Sequence, residues 1–219
     1  TVEVSGTNLA ASQLGLADEM DYQKQQRLRE LLRDLENTVL NGGLPVSNPQ
    51  GSDSLRRTMK GIIQHISTNA FATGDSGFPS GTALDETKIN YVLRHIWENS
   101  SGNVDLIVCN GYQKRRINTF LSGSRSYGPQ DATYSDMVSV YQSDFGVCKI
   151  VVSRWIPQDT ILLLDSSRIS VLPLTGRSFH YKPLASGGDY ERGQIIGEYT
   201  LELQNEQAHG LIRGLTTSG

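Results

Sequence analysis

The longest helical pattern in the chain is ADEMDYQKQQRLRELLRDLENTVL at residues 17–40. It contains neither Gly nor Pro, and residues of high helix propensity dominate it. The sequence Asn-Gly-Gly at 41–43 supplies residues that end helices. At 1.5 Å per residue we expect a spine helix about 36 Å long, with sheets covering its apolar face. That face consists of Leu28, Leu31, Leu32, Leu35 and Val39, which recur at helical spacing.

The composition is that of a chain able to build a hydrophobic core. It has 219 residues, of which 37% are hydrophobic, and this length suits one or two compact lobes. With a net charge of −3, the chain has no excess of basic residues, and such an excess is typical of proteins that bind nucleic acid or anionic membranes. No apolar run reaches the roughly 18 residues that predict a membrane-spanning helix. Cys109 and Cys148 lie in apolar runs, which predicts two buried, reduced thiols.

The first half of the chain reads mainly as helices. Residues 55–68 are compatible with a short helix or with an extended segment, because β-branched residues weaken the helical pattern. A helix capped by Thr82 or Asp85 is predicted to extend to about Asn99. A buried strand at 104–109 and a helix after Asn110 follow it, which indicates an α/β unit beside the spine.

The second half reads as antiparallel strands, and the whole therefore as an α+β fold. Apolar, β-branched runs on either side of turn residues predict hairpins. One hairpin is expected to join 137–142 to 147–155, and a second to join 160–164 to 168–174. Further strands are predicted at 179–184, 194–203 and 208–215.

One string in the chain matches an enzyme motif. Gly-Asp-Ser-Gly at 74–77 spells the nucleophile segment of trypsin-like proteases, which also need a positioned base and its carboxylate. The upstream His65 has no suitable Asp segment after it, so a surface turn is the favoured interpretation. A serine hydrolase using Ser76 remains the enzymatic alternative, while the leading hypothesis is a protein that is not an enzyme.

The remaining motifs are equally incomplete. Asp-Phe-Gly at 144–146 has no kinase segments before it and is predicted to be a hairpin turn with Phe145 closing its end. The basic cluster at 114–116 could meet phosphate, although a solvated helix end is the favoured interpretation. The four histidines stand apart, and neither cysteine belongs to a CxxC pair. We therefore expect no catalytic residue, no cofactor and no metal ion.

Several segments, taken in order, resemble the major capsid (head) proteins of tailed double-stranded-DNA phages. In the second half they are VYQSDFG at 140–146, RWIP at 154–157 and GEYTLELQNEQAHG at 197–210. In the first half ADE opens the spine helix and RDLE lies inside it. The resemblance covers essentially the whole chain, and its specificity comes from order and spacing together.

The resemblance implies the Hong Kong 97-type capsid fold, with a long spine helix, a peripheral α+β domain and a β-rich axial domain. The end of the extended loop and the spine are then expected at 1–43. The peripheral domain is expected at 44–121, completed by 191–219, and the axial domain at 122–190. The N-terminal arm and most of the extended loop of this fold are expected upstream of Thr1, so no cross-linking residue is carried over.

The resemblance also implies a function and partners. The expected protein is a structural subunit that self-assembles into hexamers and pentamers of an icosahedral phage head around double-stranded DNA. Another virion structural protein is the main alternative. Scaffold, decoration and portal proteins are further candidate partners. The packaged DNA is expected to make only non-specific contact, and no membrane is involved. The protein is expected in the virion capsid after synthesis in the bacterial host cytoplasm.

Two regions are hypothesised to contact neighbouring subunits. One is the polar loop at 122–136, of which Arg125 and Tyr127 are the named candidates. The other is the charged face of the spine helix, for which a solvated surface is the simpler alternative. This face consists of Arg27, Glu30, Arg33 and Asp34.

Overall fold

A computed structural model describes residues 1–11, 18–43, 51–55, 57–122 and 140–217. In this part of the chain the long helix predicted at the start is present and two further helices of more than two turns follow it. The helices are α1 Gly6–Ala10, α2 Glu19–Asn41, α3 Ile62–His65, α4 Glu86–Asn99 and α5 Gly111–Ser122.

The described strands form three sheets. The strands are β1 Val2–Ser5, β2 Ala70–Ala72, β3 Leu106–Cys109, β4 Val140–Ser143, β5 Gly146–Val152, β6 Ile161–Leu164, β7 Ile169–Pro173, β8 His180–Leu184, β9 Tyr190–Ile196, β10 Tyr199–Leu203 and β11 Gly210–Arg213. The largest sheet has the order β2-β11-β6-β3-β5-β4. A three-stranded sheet has the order β1-β9-β8, and β7 and β10 pair alone as a two-stranded ribbon.

The six-stranded sheet carries apolar cores on both faces. On one face, α4 and α5 pack through Ile89, Val92 and Ile117 against the sheet. On the other face, Leu162 and Leu211 pack against the end of α2, against α3 and against β10. The four residues of β6 are all buried, as expected for a central strand covered on both sides.

The spine helix α2 ends where its sequence predicts, and it begins at Glu19, two residues after the start of the predicted pattern. The carboxylate of Asp18 accepts hydrogen bonds from the backbone N–H groups of Met20 and Asp21, which caps the helix. At the other end Gly42 has a φ of +75°, a conformation that glycine adopts without steric cost. Its backbone touches Gly61, where an added Cβ would lie 2.3 Å from the Gly42 nitrogen. The spine is thereby joined closely to the start of α3.

The leucine face of the spine is less covered than predicted. Of the residues in α2 only Met20 and Leu40 are buried, and Leu32 is 48% exposed. The three-stranded sheet packs near the N-terminal end of the helix, through Val2, Val4 and Met20. The large core reaches only the last turns, through Leu40. The middle of the apolar face consequently borders open grooves.

Two strand predictions are wrong. The expected hairpin of 160–164 with 168–174 does not form, because β6 pairs with β3 and β11 while β7 pairs with β10. The single strand expected at 194–203 is two strands, β9 and β10, that belong to different sheets. The break falls at Gly197, whose Cβ position is occupied by the ring of Phe179 at 2.5 Å. The first hairpin is confirmed as β4 and β5.

The six-stranded sheet takes strands from three of the ranges expected as domain segments. The six-stranded sheet combines β2 and β3 from 44–121 with β4, β5 and β6 from 122–190 and with β11 from 191–219. Strand pairing is a long-range property that sequence order alone does not specify. The apolar cores place α4 and α5 on one face of the six-stranded sheet, and α3 with the last turns of α2 on the other face. The N-terminal end of α2 packs on the three-stranded sheet.

Candidate subunit-interface surfaces

The charged face of the spine helix is exposed, as predicted. Arg27 and Glu30 form an ion pair with an Nη1–Oε2 distance of 2.7 Å, and both side chains are about half exposed. An exposed pair one helical turn apart stabilises a helix by only a few tenths of a kcal/mol. Arg33 and Asp34 are also exposed. The face therefore contributes little to the fold and is free to contact a partner.

Three of these residues line a cleft beside the first strand. Arg27, Glu30 and Asp34 face Thr1 and Ile195 across a space of about 330 Å³. The cleft carries charges of both signs together with apolar side chains. Such mixed surfaces are common where two protein surfaces meet.

A longer groove lies between the spine and the ribbon. Its volume is about 690 Å³, and Leu31, Leu35 and Met59 supply apolar side chains to it. A second space of about 800 Å³ adjoins it and shares Arg57 and Tyr199. The uncovered part of the leucine face thus lines a concave surface.

Exposed apolar side chains continue along the ribbon beside this groove. Leu172 is 44% exposed and Leu174 is 52% exposed. Leu172 lies in β7 and Leu174 directly follows that strand, and both side chains line the second space. A contiguous apolar patch of this kind is typical of interaction sites.

A second exposed apolar surface lies on the edge of the six-stranded sheet. Val140 on β4 and Val147 and Val151 on β5 are exposed, and they share one side of the β4–β5 hairpin with Lys149. The opposite side of this hairpin is core, since Tyr141, Cys148 and Ile150 are buried there. The end of α2, α3 and β10 cover the central strands on one face of the sheet, but they leave this valine side of the edge hairpin exposed.

The structure places no catalytic partner beside Ser76 among the described residues, so it does not support the hydrolase alternative. Ser76 is exposed in a turn, and no histidine among the described residues hydrogen-bonds its side chain. The neighbouring Asp75 accepts a hydrogen bond of 2.7 Å from the backbone N–H of Ala72. The carboxylate is therefore used to hold the turn after β2, and the predicted surface turn is confirmed.

The other motifs are structural in the described part of the chain. Phe145 lies in the β4–β5 turn with its ring 6.1 Å from that of Trp97, which confirms the predicted hairpin end. Cys109 and Cys148 are buried free thiols, and burial raises the pKa of each to about 11. The basic cluster lies on α5, where Arg115 is exposed.

Metal and membrane sites are not found in the described residues. No group of three or more His, Cys, Asp or Glu side chains is arranged to hold a metal ion there. None of the helices described is both long and apolar enough to cross a membrane. The candidate contact residues Arg125 and Tyr127 lie outside the described ranges.

A polar cluster that no sequence motif marks lies between the six-stranded sheet and the ribbon. Its centre is formed by Asp165, Glu206 and His209, which are far apart in sequence from several of their partners. One signal was available: Asp165 follows four apolar residues and precedes two serines, a pattern of helix and turn caps.

Comparisons with known proteins agree with the fold. A sequence model of the SU10 major capsid protein family matches residues 1–216. The holo-SrpI encapsulin complex from Synechococcus elongatus PCC 7942 is similar, with a TM-score of 0.66 and 10% identity over 100% of this chain and 73% of that chain. The capsid asymmetric unit of cyanophage A-1(L) gives 0.66 and 10% identity, over 99% of this chain and 76% of that one.

The capsid of an empty GTA particle is a third similar structure, with a TM-score of 0.65 and 9% identity over 98% of this chain and 71% of that chain. At identities this low the likeness extends to the fold alone. No curated protein sequence matches the chain significantly.

Proposed function

Since the chain belongs to the SU10 major capsid protein family, we propose that it assembles with copies of itself into hexamers and pentamers of an icosahedral phage head around double-stranded DNA. A structural role in a virion capsid follows from the family. The observation that carries the proposal is the family match over residues 1–216, on a chain that has the Hong Kong 97-type fold. The net charge of −3 is consistent with a shell whose inner surface does not bind the packaged DNA tightly, because basic surfaces bind DNA by releasing counterions.

We propose that the axial and peripheral domains correspond to the groups of elements around the sheets. The six-stranded sheet with α3, α4 and α5 supports an assignment as the axial domain, at the centre of each hexamer or pentamer. The spine α2 with the three-stranded sheet and the ribbon supports an assignment as the peripheral domain. This grouping differs from the expected limits chiefly at 122, which separates β2 and β3 from β4, β5 and β6 of the same sheet.

The contacts between subunits are proposed to use surfaces that the fold leaves open. Arg27, Glu30, Arg33 and Asp34 on the spine, and Arg125 and Tyr127, remain candidate contact residues. The groove beside the ribbon and the valine side of the β4–β5 hairpin supply apolar surface. A closed shell needs many contacts, each of which can be weak because symmetry repeats it. Scaffold, decoration and portal proteins are further proposed partners, and synthesis is proposed to occur in the bacterial host cytoplasm.

Electron microscopy of the product of the natural gene, expressed alone in bacteria, tests the proposal. Closed shells or rings with five-fold and six-fold symmetry are expected. A product that stays monomeric at high concentration, with and without a co-expressed scaffold protein, would contradict self-assembly. Labelling with a fluorophosphonate probe separates the hydrolase alternative, because a structural subunit should leave the probe unreacted.

A further inference from the structure

The chain passes twice between the six-stranded sheet and the ribbon, and the two crossings lie side by side. Residues 165–168 connect β6 to β7, and residues 204–209 connect β10 back to β11. The backbone N–H of Gln204 donates to the carbonyl of Arg168 at 2.9 Å. The backbone N–H of Asp165 donates to Nδ1 of His209 at 3.2 Å. The two crossings therefore form one hydrogen-bonded unit.

Asp165 is the centre of the first crossing. Its side chain is 6% exposed and its carboxylate accepts from the backbone N–H of Asn103 at 3.1 Å and from Nε of Arg168 at 3.0 Å. Burial alone would raise the pKa of Asp165, but the hydrogen bonds from Ser167, Asn103 and Arg168 together lower it. The ionised carboxylate is thus the form that holds the first crossing to the segment before β3.

Glu206 plays the same part in the second crossing. Its carboxylate accepts from the backbone N–H of Thr68 at 2.6 Å and from the Thr68 hydroxyl at 2.8 Å, and Ser67 donates to it as well. Burial opposes ionisation, yet these donors together lower the pKa of Glu206. The contact links the crossing to the segment between α3 and β2, about 140 residues earlier in sequence.

His209 is fully buried and joins the two crossings as a neutral ring. Because Nδ1 accepts a hydrogen bond from Asp165, the ring proton lies on Nε2, which is buried without a hydrogen-bond partner of good geometry. Burial lowers the pKa of His209 and outweighs the Gln204 backbone and the Asp165 charge, which raise it. A second ring proton would point at the N–H of Asp165 and break the bond between the crossings.

We propose that this polar junction is an acid-sensitive lock, in which Asp165, Glu206 and neutral His209 fix the angle between the ribbon and the six-stranded sheet. Release of the lock leaves the ribbon held to the sheet by its apolar contacts, such as that of Leu201, and by the backbone of the two crossings, so that its angle to the sheet can vary. Rings of five and of six subunits place neighbouring subunits at different angles to each other. A consequence of the lock for assembly therefore rests on the proposed function. The lock itself is a property of the single subunit.

The direction of the acid effect is the same for all three groups. Unfolded histidine binds a proton as the pH falls through its ordinary value of 6.5, whereas folded His209 resists it, so the junction loses stability below that pH. Asp165 and Glu206 have lowered pKa values, so their contribution is lost only at still lower pH. Between about pH 6.5 and about pH 4.5, His209 is therefore the group whose protonation controls the stability of the junction.

The other charged groups near the junction do not reverse this direction. Arg168 disfavours a charged His209, while Asp165 and Glu206 favour it. Asp105, before β3, is engaged by the backbone N–H of Ser166 at 2.7 Å. The segment after α4 contributes the uncharged Ser101, whose carbonyl accepts from Arg168 at 3.2 Å.

Distances between two spin labels test the lock on unassembled subunits. One label is attached in Asp144→Cys, at the β4–β5 turn of the six-stranded sheet, and the other in Thr200→Cys, on strand β10 of the ribbon; both positions are exposed. Cys109 and Cys148 are buried with raised pKa values and are expected to escape labelling. A single narrow distance distribution is expected at about pH 7.5, and a broad or split one at about pH 5.

Variants assign the effect to the junction. Glu206→Gln should broaden the distribution already at about pH 7.5, and Glu191→Gln, at an exposed position on β9, should not. His209→Asn keeps an acceptor for the Asp165 N–H without a titrating ring, so the distribution should stay narrow at about pH 5. If Glu206→Gln fails to fold, Thr68→Val removes one of its donors more mildly.

The result that overturns the lock is a distribution that does not change with pH or with Glu206→Gln, even if thermal stability falls. That outcome would make the cluster an ordinary structural contact. Because the distances are measured on single subunits, a failure of shells to form in the electron microscope would leave this result unaffected.

Discussion

Gly193 shows how one residue can decide the packing of a sheet. It is buried in β9, and a Cβ added there would lie 2.2 Å from the ring of Tyr181 on the neighbouring strand. The ring cannot move freely, because its hydroxyl contacts the sulfur of Met20 at 4.0 Å and the Lys24 ammonium lies 4.6 Å from its centroid. Glycine therefore lets an aromatic ring cover the backbone and join the sheet to the spine.

Gly193→Ala is expected to lower the free energy of unfolding by about 1–3 kcal/mol, because the extra methyl group displaces the Tyr181 ring. Urea unfolding followed by circular dichroism measures the change. Gly187→Ala is the matched control, since the nearest atom to its added Cβ is 3.8 Å away. Equal stabilities of the two variants would show that the ring yields without cost.

At the scale of elements, α4 depends on a cap that also serves a buried charge. Asp85 accepts a hydrogen bond of 3.0 Å from the backbone N–H of Lys88 and thereby begins the helix. The Lys88 side chain is 1% exposed, and its Nζ donates to the carbonyl of Ser80 at 3.0 Å and lies 3.5 Å from the Asp85 carboxylate. The sequence left Thr82 and Asp85 as alternative caps, and the structure selects Asp85.

Asp85→Ala is expected to cost about 1–2 kcal/mol, because it removes the cap and leaves the Lys88 ammonium without its carboxylate. Asp85→Asn separates these two effects, since an asparagine keeps the cap but not the charge. We expect Asn to recover about half of the loss in thermal unfolding experiments. Full recovery would mean that the Lys88 charge is satisfied by the Ser80 carbonyl alone.

At the scale of the whole molecule, the exposed apolar surfaces separate folding from assembly. Leu172 and Leu174 add little to the core because about half of each side chain is exposed. A charge placed there leaves the subunit folded but must be desolvated when another surface covers it. The ribbon is therefore the place where an assembly defect can be produced without a folding defect.

The double variant Leu172→Asp, Leu174→Asp is expected to keep its thermal midpoint and to lose shells or rings in electron microscopy. Its free energy of unfolding should change by less than about 1 kcal/mol, as is usual for surface substitutions. Ser178→Asp, at an exposed position after the ribbon strand, is the control and should assemble normally. Shells of normal yield from the double variant would remove the ribbon from the candidate contact surfaces.

The sequence by itself determined the elements whose signals are local. The local signals are helical periodicity, caps and turn residues within a few positions. They determine the spine helix with its Gly42 end, α4, α5 and the β4–β5 hairpin. The family resemblance, carried by segments along the chain, correctly indicated the capsid fold and the structural role. The exposed charges of the spine were also predictable, because they oppose its leucines.

Only the tertiary structure decided which strands pair and what they leave uncovered. The pairing of β6 with β3 and β11, and of β7 with β10, joins residues tens of positions apart, and many pairings satisfy the same apolar pattern. The half-covered leucine face and the junction of Asp165, Glu206 and His209 follow from that pairing. The donors from distant segments, such as Asn103 for Asp165 and Thr68 for Glu206, are brought there by the fold, so no spacing in the sequence reveals them.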